Sequence, residues 1–140
     1  MLTINPYLNF MGRTEEAFDF YRSVFGGEFT SLQRIRDLRN IPGTCCLSET
    51  DKEKILFIAL PIGEGNVLMG TDALESMGHY LRSGNNFSIS IQAEGEEEAK
   101  RLFEGLSCGG EVIMPLDVAF WGAYFGMVVD RFGIQWLINY

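Results

Sequence analysis

The sequence has 140 residues, 46% of them hydrophobic and 13% aromatic, which predicts one globular domain with a real core and not a disordered chain. Its formal net charge is −8 and its basic residues form no cluster, so we expect no nucleic-acid partner. The longest apolar run, Ile55 to Ile62, is too short to span a bilayer, and no secretory leader opens the chain. We therefore expect a cytoplasmic protein without a membrane partner.

The first predicted elements are two strands and the helix between them. Ile4 to Phe10 alternates apolar and polar side chains, as a strand with one buried face does. Thr14 is placed to cap a helix, whose apolar residues recur at helical spacing until Gly26 and Gly27 end it. Glu28 to Arg36 predicts the second strand.

A loop, a hairpin and a linker complete the first half. Asp37 to Lys54 is polar and contains Ile-Pro-Gly, which predicts a loop that could be mobile and could close over a pocket. Lys54 to Leu60 and Asn66 to Thr71 are apolar runs joined by a glycine-containing link, so they predict a hairpin. Residues 73–85, which include the single histidine, His79, predict a linker or flap.

The pattern restarts in the second half. Asn86 to Gln92 alternates as a strand, and Glu96 opens a helix that stops at Gly109 and Gly110. Glu111 to Met114 begins the next strand.

A final hairpin is predicted from two strands, Tyr124 to Val129 and Ile134 to Asn139, joined by the polar link Asp130-Arg131-Phe132-Gly133. One face of the last strand is apolar and the other is mostly amide. The apolar residues are Ile134, Trp136 and Ile138, and they alternate with Gln135, Leu137 and Asn139. The amide face is typical of a pocket wall or of a solvated surface.

The two halves repeat each other. Glu16-Ala17 matches Glu98-Ala99, and Gly26-Gly27-Glu28 matches Gly109-Gly110-Glu111, at separations of 82 and 83 residues. Each half runs strand, helix, strand, strand, strand, with the helix burying its apolar stripe on its own sheet. The predicted fold class is therefore α+β with tandem βαβββ modules. The modules span about 1–72 and 86–140 of one domain, joined by the linker at 73–85.

The cysteines predict neither a disulfide framework nor a zinc site. Cys45, Cys46 and Cys108 are odd in number and form no C-x-x-C motif. We expect incidental or buried thiols in a reducing compartment, and the alternative is a reactive pair at Cys45 and Cys46.

Several motifs resemble one known family. Asn-Pro-Tyr-Leu-Asn-Phe, Phe-Gly-Gly-Glu, Val-Leu-Met-Gly-Thr-Asp and Phe-Trp-Gly-Ala-Tyr-Phe-Gly-Met-Val-Val-Asp-Arg-Phe-Gly-Ile-Gln-Trp occur in order along nearly the whole chain. They are similar to the PhnB-like family of the vicinal oxygen chelate superfamily, which includes glyoxalase I, bleomycin-resistance proteins and extradiol dioxygenases. The resemblance implies two cupped mixed sheets and a homodimer. The family's label, 3-demethylubiquinone-9 3-methyltransferase, carries little weight because no glycine-rich nucleotide loop is visible.

The resemblance also locates the metal ligands of metal-using members, which are usually two histidines and two glutamates. Those positions fall near Asn5, Met69, Asn86 and Leu137, and none of these residues is a good ligand for a catalytic divalent metal. A histidine and a glutamate on the third strand of many relatives are replaced by Phe57 and Ala59. We therefore expect no metal site and no cofactor.

If the former ligand positions point inward, neutral polar side chains line the cups and suit an uncharged or amphipathic small ligand. The alternative is that these amides bond only one another and water. The predicted pocket residues are Tyr7, Asn9, Met69, Ser88, Ser90, Trp121, Gln135, Leu137 and Asn139.

Two residues are weak catalytic candidates. His79 could act as a general base from the flap, although a lone loop histidine is more often a surface residue. Asp117 could act as an acid or base, although a turn or capping role is more common for such an aspartate. Trp121, with Phe120, Tyr124 and Phe125, predicts an aromatic wall, a dimer contact or a core plug.

Three functions stay open at this point. The favoured hypothesis is a protein that binds a small organic molecule without metal and without turnover. The second is an enzyme, either a lyase, isomerase or dioxygenase with a non-standard site or a methyltransferase as the label says. The third is a paralogue whose role is to pair with another protein.

Overall fold

The computed structural model describes residues 2–37 and 47–140. Cys45, Cys46 and the middle of the predicted loop at 37–54 lie outside these residues. The chain divides into two compact units, one ending at Arg82 and the other beginning at Ser83. Each unit is described by itself below as the first and the second module.

The first module is a four-stranded mixed sheet with one long helix. The strand order is β1-β4-β3-β2, with β1 parallel to β4 and the other pairs antiparallel. Its elements are β1 (Tyr7–Phe10), α1 (Thr14–Phe25), β2 (Ser31–Arg34), α2 (Glu49–Lys52), β3 (Ile55–Ile62) and β4 (Asn66–Asp72).

The second module repeats this topology. Its strand order is β5-β8-β7-β6, with β5 parallel to β8 and the other pairs antiparallel. Its elements are β5 (Ile89–Gln92), α3 (Glu96–Ser107), β6 (Glu111–Val118), β7 (Tyr124–Val129) and β8 (Gln135–Asn139). The predicted α+β class with a tandem βαβββ pattern is confirmed, because each module runs strand, long helix, and three further strands.

The core of the first module lies between α1 and its sheet. Ala17, Phe18 and Tyr21 of α1 are fully buried. They face a sheet whose buried positions include Ile58 and Gly70. A Cβ on Gly70 would come within 2.6 Å of the Phe18 ring, so the absence of a side chain lets the helix lie close to β4.

The core of the second module is built in the same way. Leu102 and Leu106 of α3 are buried, as are Trp136 and Ile138 of β8. In β7, Gly126 takes the close position, where a Cβ would lie 2.7 Å from the Phe103 ring. The predicted apolar face of the last strand is therefore its helix-facing side.

The start of α1 differs from the prediction that Thr14 is its cap. Thr14 is the first helical residue and is fully buried, and Arg13 precedes it without a side-chain capping bond. The Thr14 amide donates to Oδ1 of Asp72 at 3.0 Å, and the Ile55 amide donates to Oδ2 of Asp72 at 2.8 Å. A carboxylate 58 residues away therefore satisfies one of the N–H groups that a local cap would take.

The β7–β8 hairpin closes around Asp130. The amides of Phe132 and Ile134 donate to its Oδ1 at 2.8 and 3.1 Å. The indole Nε1 of Trp136 donates to its Oδ2 at 2.8 Å. The polar link predicted at 130–133 is thus an aspartate-centred turn that also fixes a core side chain.

Several boundaries differ from prediction because pairing, and not alternation alone, defines a strand. β1 starts at Tyr7 instead of Ile4, and β5 starts at Ile89 instead of Asn86. Phe87 lies in the predicted strand but precedes β5, and it is 60% exposed. The predicted loop contains the four-residue helix α2 among its described residues, and residues 75–77 of the predicted linker form a 3-10 turn.

Strand β6 begins at Glu111, as predicted, and is irregular. It extends to Val118 because it pairs along β7, with register shifts on both sides of Met114. It is the last strand of its sheet, and Val112, Ile113 and Met114 are about half exposed. Cys108, after α3, is exposed. Among the described residues, no helix has the length and apolar character needed to cross a membrane.

Candidate functional site

Each sheet has one face covered by its helix and one face that we call the open face. In β1, Leu8 and Phe10 are buried, whereas Tyr7 and Asn9 are exposed. The same alternation continues in β4, where Met69 is half-buried between buried neighbours. The structure therefore places the predicted pocket residues Tyr7, Asn9 and Met69 on the open face of the first sheet.

Rows of paired residues cross this open face. Tyr7 pairs with Met69, and Met69 pairs with Ala59. The rings of Tyr7 and Phe57 lie 6.1 Å apart, so an aromatic pair occupies the middle of the face. The Thr71 hydroxyl donates to the Leu56 carbonyl at 2.8 Å, which ties it to the neighbouring strand. Polar side chains lie at the two edges of this face, with Asn9 on β1 and Ser31 and Gln33 on β2.

The open face of the second sheet has two complete rows. The first row runs from Ser90 through Leu137 and Met127 to Met114. The second row consists of Gln92, Asn139, Phe125 and Asp117. Nδ2 of Asn139 donates to Oγ of Ser90 at 3.4 Å, which links the two rows. Directly paired residues point to the same side of a sheet, so these side chains are neighbours.

Trp121 lies beside the second row. It belongs to the β6–β7 turn, which is closed by hydrogen bonds from Ala119 to Ala123 and from Gly122 to Ala119. Its ring centroid is 5.3 Å from that of Phe125 in an edge-on arrangement, and it is 55% exposed. Of the four aromatic residues predicted to form a wall, a dimer contact or a core plug, Trp121 and Phe125 are in contact. Phe120 contacts Trp121 at 4.7 Å but is 98% exposed.

The remaining predicted pocket residues lie near this face with different roles. Ser88 precedes β5 and is half-buried, outside the strand ladder. Gln135 pairs with Val129, and its amide Nε2 reaches the Gly84 carbonyl at 3.5 Å. The side chain of Gln135 therefore contacts the segment before β5, at the end of the sheet away from Asn139.

The two catalytic candidates have different surroundings. His79 is exposed, and its Nδ1 accepts the Leu74 amide at 3.0 Å while its own amide donates to the Leu74 carbonyl. That pair of bonds closes the turn at 75–77, a structural use of the imidazole. Asp117 is exposed in β6, and its Oδ1 accepts the amide of the next residue, Val118, at 2.7 Å. Asp117 lies on the candidate face, and His79 belongs to the first module.

The residues at the expected metal positions do not fit a divalent cation. Oδ1 of Asn5 accepts the Val67 amide at 3.0 Å and so extends the edge of the first sheet. Met69 and Leu137 are apolar residues on the two open faces, and Asn86 precedes β5. Within residues 2–37 and 47–140, no three His, Cys, Asp or Glu side chains come together as a metal site requires.

A cavity of about 280 Å³ lies at the start of α1 in the first module. Its charged groups are already paired. Arg34 donates to both carboxylate oxygens of Glu15, and Lys54 donates to the Gly12 carbonyl at 3.0 Å. The hydrogen bond from Arg34 is the main cause that lowers the pKa of Glu15. The side chains that line this cavity bond one another and so connect the start of α1 to the neighbouring strands. None of the predicted site residues lines it.

A second charged group lies at the start of α3. Lys100 bonds Glu96 at 2.9 Å, and this hydrogen bond is the main cause that lowers the pKa of Glu96, with smaller contributions from the hydroxyls of Tyr124 and Tyr140. The two tyrosine rings stack at 5.2 Å. Burial is the main cause that raises the pKa of Tyr140. The group anchors the helix start to the ends of β7 and β8.

Sequence reasoning left Gln92, Met114 and Met127 out of the candidate site. Gln92 shares the parity of Ser88 and Ser90, so the alternation of that strand could have found it. The two methionines become neighbours of Leu137 only through the pairing of β6, β7 and β8, with a register shift that the sequence does not reveal.

Residues 2–139 match the model of the family described as 3-demethylubiquinone-9 3-methyltransferase. The chain belongs to this family. Among solved structures, this chain is 35% identical to protein PA1353 from Pseudomonas aeruginosa, over 99% of this chain and 97% of that one, with a TM-score of 0.85. It is 27% identical to the PhnB protein from Bacillus cereus, over 99% and 98% of the two chains, with a TM-score of 0.76. The predicted PhnB-like resemblance is confirmed.

A more distant structure shows the wider fold. The chain is 19% identical to a glyoxalase/bleomycin resistance protein/dioxygenase family enzyme from Burkholderia phytofirmans PsJN, over 95% and 94% of the chains, with a TM-score of 0.57. The vicinal oxygen chelate fold predicted for this family member is therefore confirmed. The single-domain arrangement, the homodimer and the cytoplasmic location stay predictions.

Proposed function

We propose that the second module binds a small organic molecule on its open face, without the divalent metal used by other proteins of this superfamily. The observation that carries this proposal is the row formed by Gln92, Asn139, Phe125 and Asp117, with Trp121 beside it. Polar side chains lie on both sides of an aromatic one there, on the side of the sheet opposite the helix. Such a mixture of apolar walls and a few directional polar groups is typical of small-molecule sites.

The polar groups of this row have bonding capacity left for a ligand. Nδ2 of Asn139 donates to Ser90, while its Oδ1 accepts none of the hydrogen bonds found among the described residues. Gln92 is exposed at the end of β5. An amide oxygen and an amide N–H can orient a ligand without an ionic pair, and each net hydrogen bond contributes about 1 kcal/mol.

The aromatic groups supply contact area. Trp121 and Phe125 meet edge to face, which leaves the exposed part of the indole available to a planar ligand. Methionines 114 and 127 continue the apolar surface along the neighbouring row. Methionine side chains are flexible and adapt to ligands of different shape, so we expect this site to accept more than one ligand.

Neither enzymatic candidate gains support from the contacts around it. Nδ1 of His79 is bonded to a backbone amide, and Asp117 has no imidazole beside it, since His79 is the single histidine of the chain. The methyltransferase chemistry named in the family description has no support in the sequence, because no glycine-rich loop opens a helix after a strand. Binding without turnover is the function that these contacts support best.

Two tryptophans provide the test. Trp121 is 55% exposed beside the site, and Trp136 is 2% exposed in the core, so NMR resolves one indole N–H signal at the site and one control signal. We would titrate nicotinamide, quinoline-2-carboxamide, 3-tert-butylphenol and (3-hydroxyphenyl)trimethylammonium into the protein. We expect at least one probe to shift the Trp121 signal saturably and to leave Trp136 unchanged.

Substitutions then locate the binding. Asn139→Ala is expected to weaken binding of the responding probe about fivefold, the equivalent of one hydrogen bond. Asn66→Ala is the matched control, because Asn66 is an exposed amide whose Nδ2 bonds the Glu64 carbonyl in the first module. Absence of a saturable Trp121 shift with all four probes would overturn the proposal, as would equal affinities of the wild type and the Asn139→Ala variant.

A further inference from the structure

We infer that the ligand of this face is an organic cation, with its positive charge held between Asp117 and the Trp121–Phe125 rings. This inference rests on the proposed function and sharpens it, since the sequence alone indicated an uncharged or amphipathic ligand. The difference arises from the position of Asp117, which the structure places within β6 directly opposite Phe125.

The carboxylate of Asp117 belongs to the row that forms the site. Asp117 pairs with Phe125, which pairs with Asn139, which in turn pairs with Gln92. Side chains of directly opposed residues lie about 5 Å apart at their Cβ atoms. One oxygen of Asp117 accepts the Val118 amide, and the carboxylate as a whole is exposed on β6. A ligand that contacts Phe125 is therefore within reach of a negative charge.

The two rings reinforce the same preference. Aromatic faces attract cations because their quadrupole is negative above and below the ring, and tryptophan does so most strongly. Trp121 and Phe125 meet at an interplanar angle of 66°, so their faces point in different directions around one corner. A carboxylate next to such a corner matches an ammonium group that carries an apolar or aromatic substituent.

No basic side chain of the module competes for this position. The basic residues between 83 and 140 are Lys100, Arg101 and Arg131, and none of them lies on a strand. Lys100 pairs with Glu96, and Nε of Arg131 donates to the Cys108 carbonyl at 3.1 Å. In the described chain, no ion pair includes Asp117. The net charge of −8 further favours the approach of a cation over that of an anion.

Two probes of matched shape test the inference. (3-Hydroxyphenyl)trimethylammonium and 3-tert-butylphenol differ in one atom and in charge. Isothermal titration of the wild type is expected to show about tenfold tighter binding of the cation, the combined size of one exposed cation–π contact and one exposed ion pair. The Trp121 indole signal should respond to both probes. Added salt should reduce the preference, because the charges are solvent-accessible.

Two variants of equal net charge assign the preference. Asp117→Asn is expected to reduce the preference for the cation to about threefold, the part that the cation–π contact supplies, whereas Glu104→Gln on α3 is expected to keep the tenfold preference. Their thermal midpoints, compared with that of the wild type, verify that both variants are folded. The inference is overturned if the wild type binds the two probes equally, or if Asp117→Asn keeps the full tenfold preference. In both cases the probes still bind, so the proposed function survives. Absence of binding by all probes overturns both.

Discussion

The two modules share one topology but use their buried carboxylates for different tasks. In the first module, Asp72 is 5% exposed and accepts the amides of Thr14 and Ile55, which joins the start of α1 to the start of β3. In the second, Asp130 is 3% exposed and accepts two turn amides and the indole of Trp136. One carboxylate fixes a helix against a sheet, and the other fixes a hairpin and a core ring.

The start of the long helix shows the same divergence. In the first module, Asp72 lies at the end of the last strand, β4. In the second module, Tyr140 follows the last strand, β8, and the carboxylate at the helix start is the exposed Glu96 of α3, which bonds Lys100. A buried carboxylate is tolerated when several N–H groups bond it, and an exposed one needs no such set. The repeated topology therefore leaves the position of its polar anchors free to change.

The largest expected effect is that of Asp130→Ala. The substitution leaves the buried indole N–H of Trp136 and two half-buried turn amides without their acceptor, so we expect the free energy of unfolding to fall by about 3–5 kcal/mol. Chemical denaturation measures this change. Asp117→Ala removes an exposed aspartate from the same module and is expected to change stability by less than about 0.5 kcal/mol. A loss below about 1 kcal/mol for Asp130→Ala would contradict the anchoring role.

Asp72→Ala is expected to lower the free energy of unfolding by a smaller amount, about 2–4 kcal/mol, because two N–H donors lose their acceptor instead of three. The effect should also appear in a different place. Native-state hydrogen exchange should show a loss of protection at the Thr14 and Ile55 amides that exceeds the loss at Ile138 in the second module. An equal loss in both modules would show that Asp72 does not act through the contact between α1 and β3.

The smallest effect concerns an exposed ion pair. The folded-state pKa of Glu15 is lowered, first by the hydrogen bond from Arg34, so its stabilisation is present above its ordinary pKa of 4.5 and is lost as the pH falls through the folded-state pKa. Glu15→Gln should therefore lower stability slightly at pH 7 and flatten the decline between pH 5 and 3.

Urea midpoints across that pH range check the prediction for Glu15. Glu104→Gln, which removes the same charge from α3, is the control for net charge. If Glu15→Gln and the control show the same slope with pH as the wild type, the Arg34 bond makes no pH-dependent contribution.

Local sequence patterns predicted the elements whose boundaries depend on nearby residues. Alternation located β7 and β8 almost to the residue, because each strand has one core face with a period of two. The helical spacing from Thr14 to Phe25 and the diglycine after it placed α1 correctly. These features depend on neighbours within a few residues, which a sequence displays directly.

Features that depend on distant partners were missed. Thr14 was predicted to cap a helix, whereas the acceptor is Asp72, far along the chain. Asp117 was expected in a turn or cap, because the shifted register that extends β6 and sets it opposite Phe125 cannot be derived from composition. For Asp130, an aspartate three residues before a glycine in a hairpin link was a visible signal of its turn.

The irregularity of β6 has a consequence for how the protein behaves at high concentration. A straight edge strand with exposed apolar side chains is a template on which further strands can add and aggregate. In β6, Pro115 carries no N–H, two register shifts interrupt the row of backbone groups, and Glu111 and Asp117 bring like charges to any second copy. The same irregularities that hide the strand from sequence reasoning thus protect its apolar edge from self-assembly.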